Sequence, residues 1–208
     1  MSVARAYWNQ QHSCYTRDEI RMDDWLQPFD ALIQACTTPI IDLGCGSGND
    51  TKHLIALGKS VIACDFAPNA IANIRRNFPK LLDAMCFDMT EGLPFPNSYT
   101  DLIIADLSLH YFTESVTTDI LKDLRRVLKP NGTLLLRVNS VKDTNHGAGQ
   151  GTEIEPHLYK TADGRLKRFF DEGDIRRFFA DWHIVSCMEE NLTRYALPKV
   201  LWTVVCQA

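Results

Sequence analysis

Residues 39–50, PIIDLGCGSGND, decide the fold of this 208-residue chain. A short apolar run is followed by three glycines at alternate positions, Gly44, Gly46 and Gly48, and then by a helical pattern. This layout is typical of a strand, a tight turn and a helix N-terminus, where a ligand can approach bare backbone. The dinucleotide-binding fingerprint places its third glycine three positions after the second, whereas Asn occupies position 49 here. The spacing therefore weakens the case for a dinucleotide site.

The composition is that of an ordinary globular protein. Hydrophobic residues make up 45% of the chain and charged residues 23%, so we expect one domain over residues 1–208. The net charge of −4 gives no broad attraction to nucleic acid or to an anionic membrane. No apolar run reaches the roughly 18–20 residues that span a bilayer, and the N-terminus lacks the apolar core of a secretory signal. These features favour a cytoplasmic protein with no nucleic-acid or membrane partner.

The seven cysteines contain no CxxC pair. An odd number without framework spacing is typical of reduced thiols in a cytosolic protein, and we predict no metal site. The alternative is a site that uses His12 and Cys14, but the sequence offers no second pair of ligands for it.

Strand-like and helical patterns alternate along the first two thirds of the chain. The expected strands are Ile40–Leu43, Ser60–Cys64, Leu82–Phe87, Leu102–Ala105 and Thr133–Val138, and the expected helices are Asp50–Leu57, Pro68–Asn77 and Val116–Leu128. Such alternation indicates βαβ units and a parallel sheet covered on both faces. After a helix at Glu172–Ala180, strands near His183–Glu190 and Val200–Cys206 have no helix between them. We therefore predict a doubly wound, Rossmann-like α/β fold with seven strands, mostly parallel, and an antiparallel C-terminal edge hairpin.

Two segments outside this alternation are candidates to cover a site. Residues 17–36 carry apolar side chains at helical spacing, and residues 1–38 are expected to form an N-terminal helical segment over the ligand. Residues 139–170 are largely polar and glycine-containing, so we expect a long loop or lid on the substrate side.

Four acids, Asp42, Asp65, Asp88 and Asp106, stand at the ends of successive predicted strands. In an open parallel sheet, ligands bind beyond the carboxyl ends of the strands. Asp42 can hold an ammonium, Asp65 is placed to accept hydrogen bonds from ribose hydroxyls, and Asp88 can accept from an adenine amino group. The set predicts a site for a nucleoside with a zwitterionic or cationic tail.

Several segments resemble class I S-adenosylmethionine-dependent methyltransferases over about residues 35–138. Residues 41–48 are similar to motif I of that family, and residues 61–65 are similar to its ribose-binding strand. Its third and fourth strands are matched by residues 87–90, 93–96 and 101–103. Residues 124–133 are similar to the helix and turn that enter its fifth strand. The resemblance implies S-adenosylmethionine as cofactor. The implied cofactor residues are Asp42, Gly44, Cys45, Gly46, Ser47, Gly48, Asp65, Phe66, Asp88, Met89, Asp106, Leu107 and Trp8, with Phe66 against the adenine and Trp8 shielding the sulfonium. Residues 170–179 and Trp182 resemble the tellurite-resistance group, which neighbours thiopurine methyltransferases.

The acceptor is less clearly marked in the sequence. His110, at the fourth strand's end, is the best candidate for a general base. Possible substrate contacts are Tyr7, Tyr111, Arg137, His146 and Tyr159, together with Arg165. The acid/Asn-Pro-Pro-aromatic run used on planar nitrogens is absent, and so is the Pro-Cys dipeptide that carries the cytosine-C5 nucleophile. We therefore expect a small-molecule acceptor. We also expect a monomer or homodimer. The alternatives are a non-catalytic S-adenosylmethionine-binding partner subunit and a nicotinamide-dependent oxidoreductase.

Overall fold

A seven-stranded sheet forms the centre of the protein. The computed structural model describes residues 3–13, 20, 24–193 and 196–208. Ten strands occur in these ranges, seven in the central sheet and three in a smaller one. They are β1 (Ile40–Leu43), β2 (Val61–Asp65), β3 (Asp83–Cys86), β4 (Thr100–Asp106), β5 (Leu128–Asn139), β6 (Thr152–Glu155), β7 (Leu158–Lys160), β8 (Leu166–Arg168), β9 (His183–Leu192) and β10 (Lys199–Gln207). The large sheet has the order β3-β2-β1-β4-β5-β10-β9. The first five strands pair in parallel, and β10 and β9 pair antiparallel at one edge, as predicted.

Helices cover both faces of this sheet. They are α1 (Val3–Gln11), α2 (Asp30–Ala35), α3 (Asn49–Ala56), α4 (Pro68–Asn77), α5 (Glu114–Val127) and α6 (Glu172–Phe178). Neighbouring β4 residues point to opposite faces: Ile103 packs in the apolar cluster with α5 and α6, and Ile104 packs in the cluster with α2 and α3. Strands buried on both sides explain why β4 and β5 are continuous apolar runs in the sequence.

The segment predicted as a long loop contains a second, smaller sheet. Strands β6, β7 and β8 form an antiparallel meander between β5 and α6. Its anchor is the fully buried Arg168, which pairs with Glu155 and donates to the backbone oxygens of Pro156 and Phe112. These strands were not predicted because they are three or four residues long and carry no continuous apolar run.

The N-terminal part differs from the predicted helix over residues 17–36. In the described portion, a 3₁₀ turn at Gln27–Phe29 leads into α2, and residues 14–19 and 21–23 lie outside the described ranges. Helix α1 docks on α4 because the backbone amide and the side-chain amide of Asn69 both donate to Asn9, while the Asn73 side chain donates to the His12 carbonyl. Among the described residues, none of the helices combines the length and apolar character needed to cross a membrane.

Candidate functional site

A cavity of about 720 Å³ lies beyond the carboxyl ends of the parallel strands. Every predicted cofactor residue except Gly48 lines it, namely Trp8, Asp42, Gly44, Cys45, Gly46, Ser47, Asp65, Phe66, Asp88, Met89, Asp106 and Leu107. The predicted acceptor-side residues His110, Tyr111 and His146 also line it, whereas Tyr7, Arg137 and Tyr159 do not. The volume falls in the range of ligand pockets, roughly 300–1,000 Å³.

The end of β4 packs directly against the glycine turn, the segment of residues 44–48 between β1 and α3. A Cβ on Gly44, whose φ is +80°, would lie 2.3 Å from the Ser108 Cβ, so only glycine fits there. Ser108 Oγ also donates a 2.7 Å hydrogen bond to the Leu43 carbonyl. Leu107 holds a φ of +52°, a strained conformation for a non-glycine residue of the kind that persists at functional sites.

Gly48 contributes to packing and does not line the cavity. Its φ is +91°, and an added Cβ would lie 2.6 Å from Ile74 and 2.7 Å from Phe78. The third glycine therefore allows α4 to approach the start of α3, and the structure does not bring it into the ligand wall predicted from the motif.

Asp42 is an almost completely buried cavity acid whose side-chain partner is a neutral hydroxyl. It is 2% exposed, and Thr51 Oγ1 donates to its Oδ2 at 2.5 Å. Burial, with smaller contributions from the charges of Asp106 and Asp65, raises the pKa of Asp42 to about 7. A cationic group placed beside it would favour the ionised form.

Asp65 and Asp88 are held by hydrogen bonds of their own loops. The backbone amides of Gly46 and Ala67 donate to the two carboxylate oxygens of Asp65 at 3.0 and 2.8 Å. Burial raises the pKa of Asp65, and these amides oppose the shift. Asp88 Oδ1 accepts from both the backbone and the hydroxyl of Thr90. Each carboxylate oxygen carries two lone pairs, so both acids keep acceptor capacity toward the cavity.

Arg137, predicted as a substrate contact, lies behind the cavity wall and is paired with the lining residue Asp106. It is 1% exposed and forms two hydrogen bonds with Asp106, of 2.7 and 2.8 Å. Its guanidinium lies 4.4 Å from the centre of the Trp25 ring, and Trp25 Nε1 donates to Asp50 Oδ1 at 2.8 Å. This chain of contacts fixes two cavity acids, Asp106 and Asp50, and sequence reasoning missed Asp50.

Aromatic residues of α1 lie across the cavity mouth. Trp8 stacks on His12 at 6.0 Å and meets Tyr111 edge-on at 5.7 Å, and all three line the cavity. Tyr7 points instead to the turn between β7 and β8, where the Arg165 guanidinium lies 3.6 Å from its ring centre. Helix α1 and the small sheet therefore touch over the site.

His110 is buried in the cavity wall. It is 2% exposed, and its Nδ1 has no hydrogen-bond partner among the described residues. Burial, followed by the positive charges of Lys199 and Lys167, holds the pKa of His110 well below its ordinary value of 6.5. The imidazole is therefore neutral at pH 7. Tyr159, predicted as a substrate contact, instead packs edge-on against Phe169.

Polar residues near His110 were missed by sequence reasoning. Asn139 at the end of β5, Lys199 at the start of β10 and Lys167 in β8 all line the cavity. They come from three distant segments, and only the antiparallel pairing of β10 with β5 and the fold of the small sheet bring them together. No local motif marks them.

One group of potential metal ligands occurs among the described residues, away from the cavity. Ligand atoms of His157, Asp171 and Asp174 lie within 4.8 Å of one another. His157 Nδ1 is 2.6 Å from Asp174 Oδ2, and Asp171 and Asp174 form the capping box of α6. Cys14, the other residue of the alternative metal site, lies outside the described ranges.

Comparisons with known sequences point to one enzyme class. Residues 40–132 match the family described as a methyltransferase domain. The chain is 30% identical over 109 residues to an uncharacterized methyltransferase of Synechocystis sp., which is 52% of this chain and 50% of that protein. It is 26% identical over 156 residues to the tRNA N(3)-cytidine methyltransferase METTL2 of Mus musculus, which is 70% of this chain and 40% of that protein. The chain thus spans half or less of the length of these relatives.

Solved structures share the fold. Burkholderia thailandensis 1,6-didemethyltoxoflavin-N1-methyltransferase, with bound 1,6-didemethyltoxoflavin and S-adenosylhomocysteine, superposes with a TM-score of 0.70 at 17% identity, covering 99% of this chain and 87% of that one. TehB from Haemophilus influenzae superposes with a TM-score of 0.65 at 16% identity, covering 88% and 60%. At these identities the likeness concerns the fold alone.

These findings confirm the predicted fold. The match over residues 40–132 is to a methyltransferase domain, and S-adenosylmethionine is the cofactor that such a domain implies. They favour the methyltransferase over the nicotinamide-dependent alternative. TehB is one of many structural neighbours, so the likeness to the tellurite-resistance group stays a prediction.

Proposed function

We propose that the whole chain is an S-adenosylmethionine-dependent methyltransferase acting on a small molecule. The observation that carries this proposal is the wall of five acids around the glycine turn of residues 44–48, namely Asp42, Asp50, Asp65, Asp88 and Asp106. Such a wall matches a ligand with a sulfonium, an ammonium and hydroxyl donors, because carboxylates both neutralise cations and accept hydrogen bonds.

The residues present fit the cofactor. Asp65 is assigned to the ribose hydroxyls, Asp42 to the ammonium side through its uncompensated charge, and Phe66 to the adenine face. Trp8, which lines the cavity from α1, would place an aromatic face near the sulfonium.

The chemistry asks little of the protein side chains. When bound, S-adenosylmethionine supplies an activated methyl: a lone pair of the acceptor forms the new bond to carbon, and the carbon–sulfur pair leaves with sulfur. The cavity residues align the acceptor with that methyl and exclude water. A neutral amine or hydroxyl becomes strongly acidic once it attacks, so even the weakly basic, neutral imidazole of His110 can take its proton. An acceptor that attacks as a thiolate has no proton to lose.

A small acceptor suits a cavity of about 720 Å³ that residues of α1 partly cover. Trp8 and Tyr111 meet over the cavity, and the Tyr7–Arg165 contact joins α1 to the small sheet. The net charge of −4 disfavours a nucleic acid as the acceptor. The similarity to a tRNA methyltransferase makes tRNA the competing acceptor class. The cytoplasmic location and the monomeric or homodimeric state remain predictions.

Two measurements test the proposal. Isothermal titration should show S-adenosylmethionine binding in the micromolar range, and no binding at high micromolar ligand would refute the cofactor assignment. Transfer of a radiolabelled methyl group should then be detected with at least one member of a panel of thiols, phenols and amines. Methylation of tRNA alone would overturn the small-molecule assignment. Tight binding without transfer to any acceptor would favour a non-catalytic subunit.

A further inference from the structure

The cavity is electrostatically divided. Its acids lie around the ends of β1, β2 and β3, together with Asp106 of β4, whereas the other side carries Arg165, Lys167 and Lys199. Arg165 is neutralised by Asp163, and Lys199 by Asp143 at 2.8 Å. The Lys167 ammonium donates to the His146 carbonyl at 2.5 Å and forms no ion pair with any described residue. This side therefore has a surplus positive charge.

A buried donor without a partner accompanies that charge. Asn139 is 0% exposed and lines the cavity. Lys199 Nζ donates to Asn139 Oδ1 at 2.6 Å, which fixes the orientation of the amide and leaves Nδ2 as the group without a hydrogen-bond partner in the described chain. An unpaired buried donor is costly, so it indicates an acceptor atom on the ligand.

The two features belong to one location. The charges of Lys199 and Lys167 both lower the pKa of His110, and Lys199 contributes, after burial, to lowering the pKa of Lys167 to about 8. These three side chains and Asn139 thus surround one end of the cavity. A ligand oxygen with negative charge would accept from Asn139 Nδ2 and neutralise Lys167.

We propose that the methyl acceptor is a small organic anion whose carboxylate or similar oxyanion is bound by Asn139 and Lys167, with Lys199 holding the Asn139 amide in place. This inference rests on the proposed function, because it names the acceptor class of the same site. The cofactor also carries a carboxylate, and it is the competing source of this chemistry. Asn139 lies at the end of β5, two strands from the glycine turn of β1, or about 10 Å at the usual strand spacing. That distance favours the acceptor.

The test compares acids with their own amides. The wild-type protein is first saturated with S-adenosylhomocysteine and then titrated calorimetrically with matched pairs such as benzoate and benzamide, phenylacetate and phenylacetamide, and 4-hydroxybenzoate and 4-hydroxybenzamide. We expect at least one acid to bind about tenfold or more tightly than its amide. Equal affinities across all pairs would overturn the inference.

Two variants test whether Asn139 and Lys167 cause the preference for acids. Asn139→Asp keeps the acceptor for Lys199 but removes the donor, and Lys167→Met removes the surplus charge. Both should abolish the preference for acids, whereas Lys160→Met, an exposed lysine of the same small sheet, should retain it. Melting temperatures verify folding, and Lys167→Met suffices if Asn139→Asp unfolds.

Titration of the variants with S-adenosylmethionine distinguishes a carboxylate of the acceptor from the carboxylate of the cofactor. S-adenosylmethionine should bind Lys167→Met with an affinity within about twofold of wild type. A loss of about tenfold in both variants would assign the cluster to the cofactor and overturn the inference. If wild-type protein does not bind the cofactor at all, the proposed function fails; if it binds and only the preference for acids is absent, this inference alone fails.

Discussion

The acids of the cavity differ in what compensates their charge. Asp106 has the Arg137 guanidinium, and Asp65 has two backbone amides. Asp42 has the Thr51 hydroxyl, a neutral donor, at almost complete burial. The ionised form of Asp42 therefore destabilises the fold of the free protein, and a cation bound beside it would stabilise that form.

The variant Asp42→Asn should remove the destabilisation caused by the buried charge of Asp42. With a folded-state pKa of about 7 against an ordinary 3.8, Asp42 contributes stability that is full below about pH 4 and is lost as the pH rises through 7. Asparagine keeps an acceptor for Thr51 and cannot ionise. Urea unfolding at pH 8 should show the variant more stable than wild type by about 1–4 kcal/mol, with the gap shrinking toward pH 5. Equal stability at both pH values would contradict the uncompensated charge, and weaker S-adenosylmethionine binding should accompany the gain.

Asp65→Asn tests the ribose assignment. The side chain keeps its shape but loses one acceptor oxygen and its charge, so S-adenosylmethionine affinity should fall by about 1–3 kcal/mol in calorimetry. Asp119→Asn, on the exposed face of α5, serves as a control and should leave the affinity unchanged. An unchanged affinity in Asp65→Asn itself would place the ribose elsewhere.

At the scale of elements, the glycine turn of residues 44–48 needs glycine at position 44 because the end of β4 packs against it. The space at Gly44 is filled by Ser108, and the space at Gly58, a glycine with a similar φ of +75° after α3, is open. These two positions have similar φ angles and opposite surroundings. Comparing them separates backbone strain from steric exclusion.

Gly44→Ala should therefore be far worse than Gly58→Ala. Both place an alanine in the left-handed region, at a cost of about 1–2 kcal/mol. Only Gly44→Ala also drives a Cβ to within 2.3 Å of Ser108, so the turn or β4 must move. We expect an additional loss of about 2 kcal/mol or more in urea unfolding, together with loss of cofactor binding. Similar losses in the two variants would refute the steric account.

Element by element, the sequence could predict what local patterns encode. The parallel strands, their helices and the edge hairpin follow from periodicity and turn residues, and the acids at strand ends follow from the fold class. The role of Gly48 could not be predicted, since it depends on the approach of Ile74 and Phe78 from another helix. Arg137 was misassigned for a similar reason: Asp106 is brought to it by the sheet order, and Trp25 by the packing of the segment that precedes α2. The small sheet was missed because its strands are three or four residues long and carry no continuous apolar run.

At the scale of the whole molecule, the sheet order sets the division of charge. Strands β1, β2 and β3 lie on one side of β4 and carry most of the acids, and β5 and β10 lie on the other side and carry Asn139 and Lys199. Helix α1 covers the cavity and meets the small sheet above it. The donor and acceptor of the methyl group are thus assigned to opposite halves of one cavity beneath one cover.

The contact between Tyr7 and Arg165 should control how firmly that cover closes. The guanidinium lies 3.6 Å from the ring centre and joins α1 to the β7–β8 turn, an interaction worth about 0.5–2 kcal/mol. Tyr7→Leu keeps an apolar side chain and removes the aromatic face, so hydrogen exchange of residues 3–13 and of residues 161–166 should accelerate together. Stopped-flow release of S-adenosylhomocysteine should speed up by about threefold, within that energy range. Tyr159→Leu changes the same residue type on the small sheet without touching α1, and it should leave both rates unchanged. Faster exchange in α1 alone, with the turn unaffected, would show that the two segments are not coupled through this pair.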